Sequence, residues 1–361
     1  MQQNISNGIK MKILLTGGGT GGSVTPLLAV FDELRVTRDA LCDFEYLWVG
    51  TKSGPEKEMV AREGIEFKAI AAGKFRRYFS ARNLIDPFFV IIGFFQSLVI
   101  ILKFKPDWII TAGGFVSVPV FWVGWLTRKK MIVHQQDVRA GLANKLMAPL
   151  AKFVTVTFEK SLQDYGPEAK WIGNPVRGKK LEVKSKKYFN LAINMPVLLI
   201  LGGGTGSAFI NKLVLESLPQ LTKICQIIHV TGKGKQPALK KNYPNYYPYE
   251  FLNTEQMAEA YAAATIVVSR CGLATLSELS YFGKPAILIY LPGHQEYNAR
   301  VFEEYGAAIV LDQPALEKNF FIKKVKKLLA DKKLQADLSK NISEVIKKGA
   351  AKELAKIILK N

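Results

Sequence analysis

Short apolar runs recur along the chain, each closed by glycine or a small polar residue and followed by residues at helical spacing. Lys12 to Thr16, Phe44 to Gly50, Phe67 to Ile70, Trp108 to Thr111, Met131 to His134 and Phe153 to Thr157 read as strands. Alternation of strands and helices points to a parallel sheet, and the short run Ile266-Val267-Val268 is of the kind that makes a buried parallel strand. Leu27 to Leu34 and Glu56 to Glu63 read as helices between them. The series restarts with a strand over Val197 to Leu201, a helix that includes Ile210 to Leu218, and a strand over Cys225 to Thr231. A Lys/Tyr/Pro-rich connection leads to a helix over Glu255 to Ala263, then the strand Ile266 to Val268. A helix from about Ala274 to Phe282 follows, stopped by Gly283-Lys284-Pro285, and then the strand Ala286 to Leu291. Two such series predict an α/β protein of two Rossmann-like parallel-sheet domains. The poorly patterned, lysine-rich stretch from Gly178 to Lys187 marks a hinge at about 173–190. The expected domains are 1–172 and 173–361, with the last helix able to pack back on the first.

Each series opens on the same device. The first strand runs into Gly17-Gly18-Gly19-Thr20-Gly21-Gly22-Ser23, and Val197 to Leu201 runs into Gly202-Gly203-Gly204-Thr205-Gly206-Ser207. Neither loop is followed by the GK[ST] of a P-loop, and neither has GxGxxG spacing, so a redox dinucleotide is not indicated. Ligands in such sheets bind beyond the carboxyl ends of the strands. That rule puts Ser23, Phe115, Ser117, His134 and Asp137 at one edge. In the second half, strand, Ser269-Arg270-Cys271-Gly272 turn and helix start make an anion seat, because the first amides of a helix lack partners and carry the positive end of its dipole. Glu278, one turn further in, suits a diol such as a ribose.

One segment stands apart. Lys74-Phe75-Arg76-Arg77-Tyr78-Phe79, with Arg82, is basic and aromatic, and Leu84 to Leu102 is almost wholly apolar. Asp86 and Pro87 shorten that run below the roughly 20 residues of a membrane span. A sheet-covering helix whose outer face or leading loop meets an anionic bilayer is the expectation, with Lys74, Phe75, Arg76, Arg77, Phe79 and Arg82 at the lipid.

Composition adds three constraints. The formal charge of +20 on 361 residues calls for an anionic partner, although many lysines lie in the helices from Lys318 to Lys360 and read as a solvated face. No zinc-finger, RNA-binding or recognition-helix pattern is present, so nucleic acid is not expected as a partner. Cys42, Cys225 and Cys271 lie far apart and read as reduced thiols of a cytoplasmic protein, and no His/Cys cluster suggests a metal. The stretch MQQNISNGIK lacks signal-peptide order and reads as a loose extension or a misplaced start.

In order along the chain, GGGTGGSVTPLLA, GGFVSVP, HQQDVRAGLANKLMA, GNPVR, the second glycine loop and SRCGLATLSE with HQEYNA resemble the MurG family. These are family 28 glycosyltransferases, the membrane-associated N-acetylglucosaminyltransferases of peptidoglycan synthesis. The resemblance implies a GT-B fold, two Rossmann-like domains facing across a cleft. It implies inverting transfer of GlcNAc from UDP-GlcNAc to the muramoyl 4-hydroxyl of lipid I, giving lipid II, without a cofactor, by a peripheral protein on the cytoplasmic face of the membrane. By the same resemblance Leu273, Ala274, Thr275, Leu276, Ser277 and Glu278 cradle UDP, with Glu278 on the ribose. Leu252 lies beside the uracil, Gln295 holds sugar hydroxyls and Arg177 faces the diphosphate. Thr20, Gly21 and Gly22 border the acceptor and the transferred sugar. Three positions depart from the family. Its histidine after the first loop is Ser23, its HEQN is His134-Gln135-Gln136-Asp137, and the serine of its second loop is Gly204. The first departure leaves Asp137, His134 and a water as candidate bases, since a serine hydroxyl is no base at neutral pH. A glycolipid transferase or UDP-sugar epimerase of the same fold, and a catalytically silent UDP-sugar-binding membrane partner, stand as alternatives.

Overall fold

The computed structural model describes residues 9–37, 42–73, 82–177, 188–236, 239 and 241–361. The apolar runs pair into two wholly parallel sheets, one in each of two compact units. The first unit comprises Met1–Arg177 with Lys348–Asn361, the second Gly178–Lys347.

In the first unit the strands are β1 (Ile9–Thr16), β2 (Cys42–Thr51), β3 (Glu66–Ile70), β4 (Trp108–Thr111), β5 (Lys130–Gln135), β6 (Phe153–Val156) and β7 (Lys170–Trp171). They lie in the order β3-β2-β1-β4-β5-β6-β7. The helices are α1 (Thr25–Val36), α2 (Glu56–Ala61), α3 (Arg82–Phe104), α4 (Ser117–Leu126) and α5 (Leu142–Met147). The second unit repeats the plan with β8 (Val197–Leu201), β9 (Gln226–Val230), β10 (Tyr246–Tyr249), β11 (Ile266–Ser269), β12 (Ala286–Tyr290) and β13 (Ile309–Asp312), ordered β10-β9-β8-β11-β12-β13. Its helices are α6 (Ala208–Leu221), α7 (Thr254–Ala263), α8 (Leu273–Phe282), α9 (His294–Glu304), α10 (Lys318–Ala330) and α11 (Lys332–Val345).

Both orders are the doubly wound one, and both reverse beside the first strand of their unit: between β1 and β4, and between β8 and β11. Each glycine loop therefore sits at the mouth of a topological switch point. The last helix, α12 (Ala350–Lys360), belongs to the first unit. Its Ala350, Leu354, Ala355 and Ile358 join the α1 side of the core with Leu27, Leu28 and Phe31.

Three elements differ from the sequence expectation. Tyr246–Tyr249 is a strand despite Pro248, because β10 is an edge strand bonded on one side only, to β9. The Ser117–Leu126 run behind the Gly113-Gly114 turn is a helix, and Ile309–Asp312 adds a further edge strand. Cys225 and Cys271 are buried and free.

Helix α3 is apolar all round, and only one side of it is covered. Ile101 and Phe104 are buried, and at Gly93 a Cβ would collide with the carbonyl oxygen of Ala71. That close approach seats α3 beside β3 and α4, and the helix runs unbroken through Pro87, longer than the sequence reading expected. On the other side Phe88, Ile91, Phe95, Val99 and Leu102 are each more than half exposed, as are Trp125 and Leu126 of α4. A contiguous open apolar surface of this kind marks an interaction face. Lys74, Phe75, Arg76, Arg77 and Phe79 lie outside the described residues, and Arg82 is described only as the first residue of the α3 backbone.

Candidate active site

The first unit brings three turns together at one sheet edge. A Cβ at Gly114 would fall 3.1 Å from the carbonyl oxygen of Gly18, so the turn after β4 touches the first glycine loop. The Gln136 side chain donates to the Ala112 carbonyl at 2.7 Å, tying the turn after β5 to the same place. Thr20 and Gly22 are exposed there and Gly21 is half-buried, as a ligand-facing loop requires. Ser23 closes a short 3-10 turn over Gly21–Ser23, is 7% exposed, and its hydroxyl donates to the Thr20 carbonyl at 3.4 Å. Asp137 is half-buried at this edge, and its turn is shaped by Gln135, whose amide donates to the carbonyls of Asp137 (2.7 Å) and Arg139 (3.0 Å).

Two other candidates are turned inward. Ser117 is wholly buried and accepts from the Thr111 hydroxyl at 2.9 Å. His134 is likewise wholly buried, with Nδ1 3.0 Å from Thr155 Oγ1 and Nε2 3.1 Å from Asn174 Oδ1. An amide oxygen only accepts, so Nε2 carries the proton and Nδ1 takes the threonine hydroxyl. Desolvation holds this imidazole down at about 4, against the raising effect of the Asn174 bond. His134 is thus a satisfied core residue and is corrected from the list of bases: it is wholly buried and both ring nitrogens have partners.

Arg177 also needs correction. Its guanidinium meets Asp32 through Nε (2.6 Å) and Nη2 (3.0 Å), and Glu63 through Nη1 (2.8 Å). Two carboxylates within the first unit neutralise it and hold its pKa above the usual guanidinium range. Three of its five donors are committed to carboxylates.

In the second unit the seat lies at α8. Gly272 opens the helix with no side-chain cap, which leaves the first amides without an internal partner. Only Ala274 of the first turn is exposed. Leu273, Thr275, Leu276 and Ser277 are buried, and the Ser277 hydroxyl donates back to the Leu273 carbonyl at 2.8 Å. What this turn can offer a ligand is therefore backbone.

A second arginine near the α8 start, Arg270, enters the sequence reading only as part of the turn. It is 5% exposed, and its guanidinium donates to Ser207 Oγ through Nε (3.2 Å) and Nη2 (2.9 Å), to the Ile289 carbonyl through Nη1 (3.2 Å), and to Gln313 Oε1. All four acceptor contacts are to neutral groups. A buried cation with neutral partners leaves positive potential between the second glycine loop and the α8 start. Gly204 projects from that loop into open space, since a Cβ there would meet nothing within 4 Å, so packing does not impose the glycine.

Glu278 is half-buried and accepts from the Tyr261 hydroxyl at 2.9 Å through Oε2. Burial pushes its carboxyl up to about 7, opposed by the Tyr261 bond. Tyr261 is itself wholly buried and stacks on Phe282 at 5.0 Å. Leu252 is 4% exposed, whereas its neighbour Phe251 is open. Gln295 carries a buried Oε1 with no hydrogen-bond partner, an acceptor suited to a hydroxyl donor. Among the described residues no group of His, Cys, Asp and Glu is gathered as a metal site.

Two doubly wound units, each with a glycine loop at its switch point, define a protein of the GT-B class. The chain matches the glycosyltransferase family 28 N-terminal domain over residues 13–156 and the family's C-terminal domain over residues 197–355. It is 36% identical over 345 residues to the UDP-N-acetylglucosamine–N-acetylmuramyl-(pentapeptide) pyrophosphoryl-undecaprenol N-acetylglucosamine transferase of Clostridium tetani, covering 93% of this chain and 94% of that one. The chain belongs to that transferase family, the MurG family of glycosyltransferase family 28. Among solved structures, Acinetobacter baumannii MurG superposes with a TM-score of 0.77 at 22% identity, over 97% of this chain and all of that one. The UDP-GlcNAc 2-epimerase of Neisseria meningitidis, bound to UDP-GlcNAc, gives 0.69 at 14% identity over 98% of this chain and 100% of that one, a likeness of fold alone.

Proposed function

We propose that this protein transfers GlcNAc from UDP-GlcNAc to the 4-hydroxyl of the muramoyl sugar of lipid I, with inversion, to give lipid II. The observation that carries the reading is the sequence identity running through both domains to a transferase named for that donor and acceptor. The site chemistry supports it. Amides at the α8 start and the Arg270 guanidinium oppose the charge that grows on the departing UDP. Glu278 takes ribose hydroxyls, Gln295 Oε1 takes a sugar hydroxyl, and the backbone at Leu252 borders the uracil. Thr20, Gly21 and Gly22 border the acceptor and the transferred sugar. The acceptor oxygen attacks C1 of GlcNAc, the C1–O bond to UDP breaks, and UDP leaves with the electron pair. The hydroxyl proton passes to Asp137, a carboxylate at the edge where the family histidine is replaced by Ser23. The open face of α3 and α4, with the basic and aromatic sequence 74–79 that precedes α3, meets an anionic bilayer where the lipid-linked acceptor resides.

Incubation with UDP-GlcNAc and a short-chain lipid I analogue tests the reading. Formation of the disaccharide with stoichiometric UDP supports it. Binding without turnover identifies a silent UDP-sugar receptor, and C2 epimerisation of the donor without acceptor identifies an epimerase.

A further inference from the structure

The first glycine loop is built around a carboxylate that the reaction scheme above does not use. Glu56, the first residue of α2, is 0% exposed. Its Oε2 accepts from the Gly19 amide at 3.1 Å, and its Oε1 accepts from the Thr51 amide at 2.7 Å and the Thr51 hydroxyl at 2.5 Å. Two backbone amides and a hydroxyl thus converge on its two oxygens. The chain makes room for it from two sides. A Cβ at Gly18 or at Gly54 would collide with the Glu56 carboxyl atoms, and one at Gly50 would press on its Cγ. Gly18 is not in the left-handed region, so closeness to Glu56 accounts for glycine there, whereas a Cβ at Gly50 would meet the Phe67 ring first. The strap reaches the switch point as well, because Gly114 of the turn after β4 packs against the backbone of Gly18.

A buried carboxylate is costly unless its partners are in place, so its hydrogen bonds are made in one geometry or not at all. We infer that Glu56 is the positioning residue of the first glycine loop: through Gly19 it fixes the Thr20-Gly21-Gly22 backbone against which acceptor and transferred sugar are aligned. This rests on the acceptor-side reading of that loop. It assigns Glu56 no contact with substrate. The two loops of like sequence are thereby backed by opposite groups, Glu56 behind the first and Arg270 behind the second.

Glu56→Gln is the test. The amide keeps the volume and still accepts from Thr51 through its oxygen, but it turns an NH2 group toward the Gly19 N–H. Hydrogen–deuterium exchange over residues 17–24 reads the loop without reference to catalysis and is expected to speed up in the variant. Turnover with the lipid I analogue is expected to fall by about tenfold or more, chiefly in kcat, because small misalignments of reacting groups are expensive. UDP affinity, read by calorimetry, is expected to stay within about twofold, because Glu56 and the α8 seat belong to separate units with separate cores. Unchanged loop exchange, or wild-type kcat, overturns the inference. Should Glu56→Gln fail to melt cooperatively, Gly18→Ala perturbs the same contact from the loop side with Glu56 intact, and wild-type turnover there also overturns it. A wild-type protein that turns over no acceptor sinks the functional reading instead, while the exchange result still decides the role of Glu56.

Discussion

If ribose hydroxyls rest on Glu278, donor affinity must follow the charge of that carboxyl. Burial holds the group up at about 7, and the Tyr261 hydroxyl, donating to Oε2, opposes the rise. Hydroxyl donors favour the ionised form, so binding is strongest above that value and weakens as pH falls through it. With a pKa of about 7, roughly nine-tenths of the protein is ionised at about pH 8 and one-tenth at about pH 6. Apparent affinity for UDP-GlcNAc should then drop about tenfold between those values, or ~1.4 kcal/mol. UDP-GlcNAc is the ligand to use, because its diphosphate is esterified at both ends and does not itself titrate there. Calorimetry in two buffers of different ionisation enthalpy should show about half a proton released per binding event near pH 7. Glu278→Gln should flatten the profile and weaken binding at about pH 8 by ~1.5–3 kcal/mol, the worth of hydrogen bonds to a charged group. The same substitution should stabilise the fold. The folded value of about 7 exceeds the ordinary 4.5, so the folded protein keeps a proton that the unfolded chain sheds, and stability is lost as pH rises through that window. Removing the carboxylate should regain ~1–3 kcal/mol at about pH 8 and nothing below about pH 4. A flat wild-type profile with no proton release would refute the reasoning and take Glu278 off the ribose.

Four further outcomes follow from the geometry. Asp137→Asn should cost turnover about 100-fold or more with donor affinity kept, and Ser23→His in the same chain should restore part of it; survival within a few-fold in steady-state kinetics makes Asp137 a binder only. Arg177→Gln should lower unfolding stability by roughly 2–4 kcal/mol, by removing the guanidinium that meets Asp32 and Glu63, while UDP affinity measured by calorimetry stays level. His134 is held down at about 4 from 6.5, so the unfolded chain binds its proton first, and stability should fall as pH drops from about 6.5 toward 4. Denaturant titrations across that range should show the slope, reduced in His134→Gln. Phe88, Phe95 and Trp125 replaced together by Ser should weaken partition to anionic vesicles by about tenfold or more in a flotation assay, whereas added salt weakens only the contribution of the basic residues 74–82.

Much of this protein is decided locally. The buried strands declare themselves because a parallel strand covered on both faces must be apolar throughout, as Val197–Leu201 is. The glycine loops declare themselves because left-handed turns such as those at Gly19 and Gly203 favour residues without a Cβ. The two series, and the ordered family motifs, followed from these signals alone. Edge elements did not: Pro248 reads as a breaker until β10 is known to bond on one side only. Charge partnership was equally silent. Arg177 and Arg270 are alike in sequence, yet one meets carboxylates from α1 and the residues behind α2, while the other finds only a serine, a carbonyl and an amide. Which arginine stays electrostatically available depends on neighbours far along the chain. His134 lies in a family motif, and only its burial between Thr155 and Asn174 removes it from the chemistry. Glu56 has the sequence appearance of an ordinary charge in the first turn of a helix, and it is the packing of Gly18, Gly50 and Gly54 around it that sets it behind the first loop. Sequence records which groups a chain has, and periodicity records which of them are buried. What each buried polar group is paired with is a property of the tertiary structure, because desolvation makes that pairing obligatory and the partners come from anywhere in the fold.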